Sequence, residues 1–210
     1  MLSLIQSGNG FYETIALLAF YIIAVLSALI LHEVAHGLVA LWCGDPSAKF
    51  AGRLSLNPVR HLDGLGTLCF LLFGFGWAVP VPVNPANFKH RKRGALLVSL
   101  SGIVANLLLA FVASFFYVLL AGKSVWEYLF VYIMLFNIVF ATFNILPIAP
   151  LDGFNLVESL APNSGYVRFM RQNRLIALII LIVIIYFTDV LWVMQNWLCG
   201  LFLDFWHLFI

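Results

Sequence analysis

The chain has 210 residues, of which 63% are hydrophobic and 10% are charged, and its formal net charge is +2. Soluble domains are about one-quarter charged, so this composition excludes an ordinary soluble domain and places the chain in a lipid bilayer. The small net charge, without a basic stretch interleaved with aromatic residues, argues against nucleic acid as a partner.

Four apolar stretches are long enough to cross a bilayer, because a helical span takes about 20 residues. They are residues 11–31, 94–121, 125–146 and 175–193. A further run, GLGTLCFLLFGFGWA from Gly64, is shorter, carries four glycines and predicts a re-entrant segment. We therefore expect an all-α polytopic membrane protein, with residues 1–210 forming a single domain.

The basic residues predict how the chain is oriented. They fall in three loops that the predicted spans place on one face of the membrane, and Lys123 falls on the other face. The three loops contain Lys49, Arg53 and Arg60; Lys89, Arg91, Lys92 and Arg93; and Arg168, Arg171 and Arg174. The positive-inside rule makes this face cytosolic and the N-terminus external, in a plasma (inner) membrane.

The C-terminal stretch differs from the predicted spans in composition. WVMQNWLCGLFLDFWHLFI mixes tryptophan and phenylalanine with polar side chains. That mixture is typical of a helix lying in the membrane interface, so residues 190–210 are predicted to form an interfacial aromatic tail, although a further span stays open.

The sequence LHEVAHG, residues 31–37, places two histidines and a glutamate at the end of the first apolar run. On a helix, His32 and His36 lie one turn apart on one face, so both imidazoles can bind a single ion. Glu33 directly follows the first histidine and can reach a water on that ion. This is the HExxH pattern of zinc metalloproteases, and ionisable groups in a membrane are costly unless they have such a function.

A catalytic zinc takes three protein ligands, and Asp152 in FNILPIAPLDGFN is the best candidate for the third. The first and third predicted spans both run towards the cytosolic face. His32 and His36 lie near the end of the first span, and Asp152 follows the end of the third. The spans and the basic loops therefore predict that the three side chains meet at the same depth.

HEVAH together with NILPIAPLDG resembles the site-2 protease family of intramembrane zinc metalloproteases. LSLNPVRHLDGLGTL, GWAVPVPVNPANF and SGIVANLLLA are similar to the segments between those motifs. The resemblance implies one Zn²⁺ per chain held by His32, His36 and Asp152, with Glu33 as general base. It also implies that Asn144 contacts the backbone of a transmembrane protein substrate.

Residues 78–85, AVPVPVNP, alternate valine with proline. Prolines lack an N–H, so an extended chain here has donors on one edge only, from Val79, Val81 and Val83. We expect a small membrane-associated β-hairpin whose free edge pairs with an unwound substrate, or else a loop stiffened by its prolines.

Asn106, on the second predicted span, has two candidate roles. It can bind substrate or stabilise the oxyanion, or it can form the helix–helix hydrogen bond that is common for a membrane asparagine.

Two other functions compete with an intramembrane endopeptidase. A metal transporter would carry ligands along a route through the membrane, and an inactive scaffold would lack a ligand or the base. The sequence does not predict the oligomeric state or the physiological substrate.

Overall fold

The computed structural model describes residues 10–64, 66 and 79–210. The described helices are α1 (Phe11–Cys43), α2 (Ser47–Phe50), α3 (Arg91–Leu120), α4 (Trp126–Asn144), α5 (Asp152–Leu160), α6 (Gly165–Gln172), α7 (Arg174–Phe187) and α8 (Val190–His207). Two 3₁₀ turns, Pro58–Arg60 and Pro85–Asn87, lie between α2 and α3.

Helices α1, α3 and α4 pack against one another as a three-helix bundle. Each is long and apolar enough to cross a membrane, so three of the four predicted spans are confirmed as candidate spans. Small residues such as Ala28, Ala110 and Ala141 are buried where the helices meet. Lipid is as apolar as leucine, so close backbone approach at small residues is what favours helix association in a membrane.

The fourth predicted span, residues 175–193, is not one continuous helix. Helix α7 has 14 residues, or about 21 Å at 1.5 Å per residue, which is shorter than a hydrocarbon core of about 30 Å. A fourth span exists only if α6 and α7, bent by 98° at Asn173, are counted as one broken span.

The described residues do not support the predicted β-hairpin. Residues 79–84 contain no strand. The N–H of Val79 donates to the carbonyl of His61 (2.8 Å), beside Leu62, which forms a β-bridge, and the N–H of Val81 donates to the Glu33 carboxylate (2.9 Å). The predicted re-entrant segment lies outside the described residues, apart from Gly64 and Gly66.

Helix α8 contains most of the predicted interfacial tail, and it packs against α3 and α4. Leu198 and Phe202 contact the cluster around Met134 and Ile138, and the Trp206 indole N–H donates to Ser114 Oγ at 3.0 Å. This packing explains in part why the tail contains polar and aromatic residues, because the indole N–H of Trp206 donates to an acceptor inside the bundle. The position of α8 relative to a lipid interface stays a prediction.

The turn between α4 and α5 sets the start of α5 against the end of α4. Leu146, Leu151 and Phe154 are buried in one apolar cluster that anchors the turn. A Cβ added at Gly153 would lie 2.2 Å from the carbonyl oxygen of Ile145, so only glycine permits this approach. The neighbouring residue, Asp152, is thereby fixed at the end of the bundle where α1 also ends.

Candidate metal centre

The three predicted metal ligands converge in the structure. His32 and His36 occupy one face of α1, and Asp152 reaches them from the first turn of α5. The Nε2 atoms of the two histidines are 3.0 Å apart, and each lies 3.0 Å from the same carboxylate oxygen, Asp152 Oδ2. His32 is 5% exposed and His36 is 8% exposed. One oxygen and two nitrogens thus surround a single point inside the bundle.

Hydrogen bonds on the far side of each ring fix which nitrogen faces that point. His32 Nδ1 lies 2.7 Å from Asn106 Oδ1, and His36 Nδ1 lies 2.7 Å from the carbonyl oxygen of Val98. Both partners are acceptors, so each Nδ1 carries the proton and donates it. The Nε2 lone pairs are therefore the ones directed at Asp152, as in metal sites where a neighbouring acceptor orients the ligand histidine.

Asp152 remains a carboxylate in this setting. Burial opposes its ionisation, but in the absence of a metal a proton shared with His32 and His36 outweighs burial and lowers the pKa of Asp152 to about 2. When neither Nε2 carries that proton, two nitrogen lone pairs and an anionic oxygen face one another at 3.0 Å. Three electron-rich atoms repel at that distance, so the arrangement needs a positive charge between them, either a proton or a metal ion.

The donor set fits zinc. Two imidazoles and one carboxylate are a known ligand set for catalytic zinc, which leaves the fourth position open. Tetrahedral zinc with bonds of about 2.0–2.1 Å holds its donor atoms about 3.3–3.4 Å apart. The observed separations of 3.0 Å are within a few tenths of an ångström of that value. Among the described residues, this is the one group of histidine, cysteine and carboxylate side chains able to hold a metal ion.

Gly102 on α3 makes the convergence possible. A Cβ added there would lie 2.5 Å from His32 Cε1 and 2.6 Å from His36 Nε2. A side chain at this position would therefore occupy the space of both imidazoles. Close helix packing, which glycine commonly serves in membranes, here brings α3 against the ligand rings.

Asn106 lies behind the ligands and is 0% exposed. Its Nδ2 donates to the carbonyl of Ala28 (2.9 Å) and to Asn137 Oδ1 (2.7 Å), which leaves Oδ1 for His32. Asn106 does not line the cavity beside the ligands. Its substrate-binding role stays a prediction, and its contacts make it an orienting partner of His32.

Asn137 on α4 belongs to the same chain of hydrogen bonds, and the sequence did not single it out. It is 0% exposed and also donates to the carbonyl of Ile133 at 2.8 Å. The available signal was a second asparagine in an apolar helix, because such a residue needs a polar partner inside the bundle.

A cavity of about 470 Å³ adjoins the ligands. Its polar lining includes Glu33, Asn144 and, one turn beyond Asp152 on α5, Asn155. Of the three valines predicted to contact substrate, Val81 and Val83 line the cavity and Val79 does not. The structure thus brings Glu33, Asn144, Val81 and Val83 to the metal centre.

Replacing Asn106 with leucine is expected to lower zinc affinity by about 10–100-fold, because His32 would lose the acceptor that holds its ring. Competition with a chelator of known affinity measures the change. Ser114→Ala is the matched control, since it removes a buried polar group from the same helix, away from the ligands. Equal zinc affinity in wild type and Asn106→Leu would contradict the orienting role.

Comparison with known proteins identifies relatives along nearly the whole chain. The chain is 38% identical over 197 residues to a Bacillus subtilis protein named "Putative zinc metalloprotease YwhC", covering 88% of this chain and 90% of that protein. It is 29% identical over 147 residues to "Putative zinc metalloprotease Rip2" of Mycolicibacterium smegmatis, covering 63% of this chain and 54% of that protein. No protein-family model and no solved structure matches the chain. The identity to YwhC, across nine-tenths of that protein, shows that the chain belongs to the same zinc metalloprotease family.

Proposed function

We propose that the protein is a zinc-dependent intramembrane endopeptidase of the site-2 protease type. Its substrates would be membrane proteins, cut within or near their transmembrane segments. The observation that carries the proposal is the convergence of His32, His36 and Asp152 inside a bundle of membrane-length helices. The family membership supports a metalloprotease, and the apolar helices support action on substrates in the bilayer.

The roles of the residues follow from their positions. His32, His36 and Asp152 would hold one zinc ion per chain. When bound, zinc acts as a Lewis acid and lowers the pKa of the water that it holds towards 7. Glu33 lies beside the ligands in the cavity and would take a proton from the attacking water and pass it to the leaving amine.

The cavity offers contacts for a substrate in extended form. Asn144 Nδ2 donates to the carbonyl of Phe140 (3.0 Å), which leaves its Oδ1 to accept an N–H from the substrate backbone. No described residue accepts from the N–H of Val83, whereas those of Val79 and Val81 already have partners. Pairing of substrate with residues 79–83 would therefore use Val83 first.

The protein would lie in the plasma (inner) membrane with the metal centre near the cytosolic face. Two of the basic groups lie between the end of α1 and the first turn of α3, and the third follows α5, whose Asp152 meets the histidines of α1. Positively charged loops favour the cytosolic side. A centre near that face leaves a short path for water to reach the cavity.

The transporter alternative is less well supported. It predicts several ligand groups at different depths, and one group is found within residues 10–64, 66 and 79–210. An inactive scaffold is also less well supported, because the ligands and Glu33 are all present beside one cavity.

The proposal is tested with the purified protein in lipid vesicles together with a single-span membrane protein substrate. We expect cleavage that a zinc chelator stops and added zinc restores, and mass spectrometry should place the cut in or beside the span of about 20 residues. Zinc-dependent cleavage of soluble peptides alone would contradict intramembrane action. A lack of any cleavage across a panel of single-span proteins would contradict the endopeptidase.

A further inference from the structure

Residues 79–84, called the strap below, run past the metal centre as an extended segment held by its backbone N–H groups. Val79 donates to the carbonyl of His61 (2.8 Å), Val81 to Glu33 Oε2 (2.9 Å) and Asn84 to Asp45 Oδ2 (2.6 Å). Two of these acceptors are structural, and the third is the proposed catalytic base. The strap therefore connects Glu33 to Asp45.

Asp45 is built into this connection. It lies two residues after the end of α1, is 0% exposed, and lines no part of the cavity beside the metal ligands. Its Oδ1 accepts from Asn87 Nδ2 (2.7 Å) and from the Ser47 hydroxyl (2.6 Å), while its Oδ2 accepts from the N–H of Asn84. Both oxygens of this buried carboxylate accept hydrogen bonds, which gives the side chain a defined orientation.

The charge on Asp45 is maintained by these contacts. Burial opposes ionisation, but the hydrogen bonds from Asn84, Ser47 and Asn87 outweigh burial and lower the pKa of Asp45 below its ordinary value. The strap is thus anchored at Asn84 by a charge-assisted hydrogen bond, which is stronger than a neutral one.

The strap is also seated directly on α1. Gly37 lies one turn beyond Glu33 on the same face of that helix, and a Cβ added there would lie 3.2 Å from Val81 Cγ1. With Val81 against Gly37, its N–H meets the Glu33 carboxylate. Because Glu33 Oε2 accepts this N–H and no described residue donates to Oε1, Oε1 is the oxygen left to take a proton.

We propose that Asp45 is a positioning residue for Glu33: it holds the strap at Asn84 so that the Val81 N–H fixes the Glu33 carboxylate beside the metal centre. This inference rests on the proposed function for the role of Glu33. The claim that Asp45 fixes the Val81 N–H is tested without any activity measurement.

The most selective test is Asp45→Asn. The amide keeps one oxygen for Ser47 and Asn87 but sets an NH₂ donor against the N–H of Asn84, so the bond to the strap is lost at nearly constant shape. Hydrogen–deuterium exchange of residues 79–88 should rise about tenfold or more at Val81, as expected for loss of a hydrogen bond to a charged group. Zinc content should stay equal to that of wild type.

Kinetics give the second readout. We expect kcat for the membrane substrate to fall about tenfold or more in Asp45→Asn, because the strap positions the base. Val81→Pro removes the N–H that reaches Glu33, so Asp45 has nothing left to position in that variant. Adding Asp45→Asn to Val81→Pro should therefore lower kcat by less than about twofold. Asp204→Asn, which changes an exposed carboxylate on α8, is the matched control and should leave kcat and exchange unchanged.

A second variant covers the case in which Asp45→Asn does not fold. Asn87 is exposed and donates to Asp45 Oδ1, so Asn87→Ala should fold and give a smaller change in the same direction. The inference would be overturned if exchange at Val81 were unchanged in these variants, or if the variants lost zinc. It would also be overturned if the double variant lost kcat by the product of the losses in Asp45→Asn and Val81→Pro. If wild type cleaves nothing, the proposed function fails, while the exchange experiment still decides whether Asp45 fixes Val81.

Discussion

Glu33→Gln is expected to lower the rate of substrate cleavage by about 10²–10⁴-fold, the usual contribution of a general base. The variant should keep the zinc content of wild type, because Glu33 is not among the three converging ligands. Glutamine also retains a side-chain oxygen that can accept the Val81 N–H, so the strap should stay in place. Product formation in vesicles and zinc per chain measure the two effects.

Glu13→Gln is the matched control for this prediction. It makes the same change on the same helix, at an exposed position far from the metal centre, and should leave cleavage unaltered. Cleavage by Glu33→Gln at a rate near that of wild type would show that another group takes the proton.

Gly102→Ala is expected to disrupt the metal centre itself. The added Cβ would lie 2.5–2.6 Å from atoms of both histidine rings, which is closer than real contacts allow. Helix propensity acts in the opposite direction, since alanine is more favourable than glycine inside a helix by about 0.8–1.0 kcal/mol. Any loss of function therefore reports displacement of the ligands, and misplacement by about 1 Å can cost about 100-fold in rate.

Zinc affinity and cleavage rate measure the effect of Gly102→Ala. Gly200→Ala is its matched control, because Gly200 is also inside a helix and a Cβ there meets nothing within 4 Å. We expect Gly200→Ala to match wild type and Gly102→Ala to lose zinc and about 100-fold or more of the rate. Normal zinc binding in Gly102→Ala would mean that the histidines adopt positions other than those described.

The grouping of the metal ligands could be predicted from the sequence because it depends on local spacing and on the order of the spans. One helical turn separates His32 from His36, and this spacing alone puts them on one face. The prediction that Asp152 meets the two histidines required only that the first and third spans run in the same direction. The structure brings the three together at 3.0 Å, as that reasoning predicted.

The contacts around the ligands could not be predicted in the same way, because they join distant parts of the chain. Asn106 and Asn137 are 31 residues apart, and their hydrogen bond depends on how α3 rotates against α4. The alternation of valine and proline correctly indicated which residues keep an N–H. It gave no sign that His61 and Glu33 would accept two of them.

The positions at which the helices after α5 begin and end also could not be predicted from the length of the apolar stretches. Residues 175–193 are mostly apolar and long enough for a span, but the helix ends at Phe187, before Thr188 and Asp189, and a new helix begins at Val190. The packing of α8 on α3 and α4 is a tertiary property, since its mixed composition is compatible with both an interface and a bundle.

The central claim is that His32, His36 and Asp152 hold one zinc ion, and zinc per chain in the purified protein tests it most directly. Mass spectrometry of the metal should find about one zinc in wild type and in Glu33→Gln, and much less in Asp152→Ala, because removing one of three ligands weakens the site. No zinc in wild type, or the same zinc content in Asp152→Ala as in wild type, would contradict the metal centre described here.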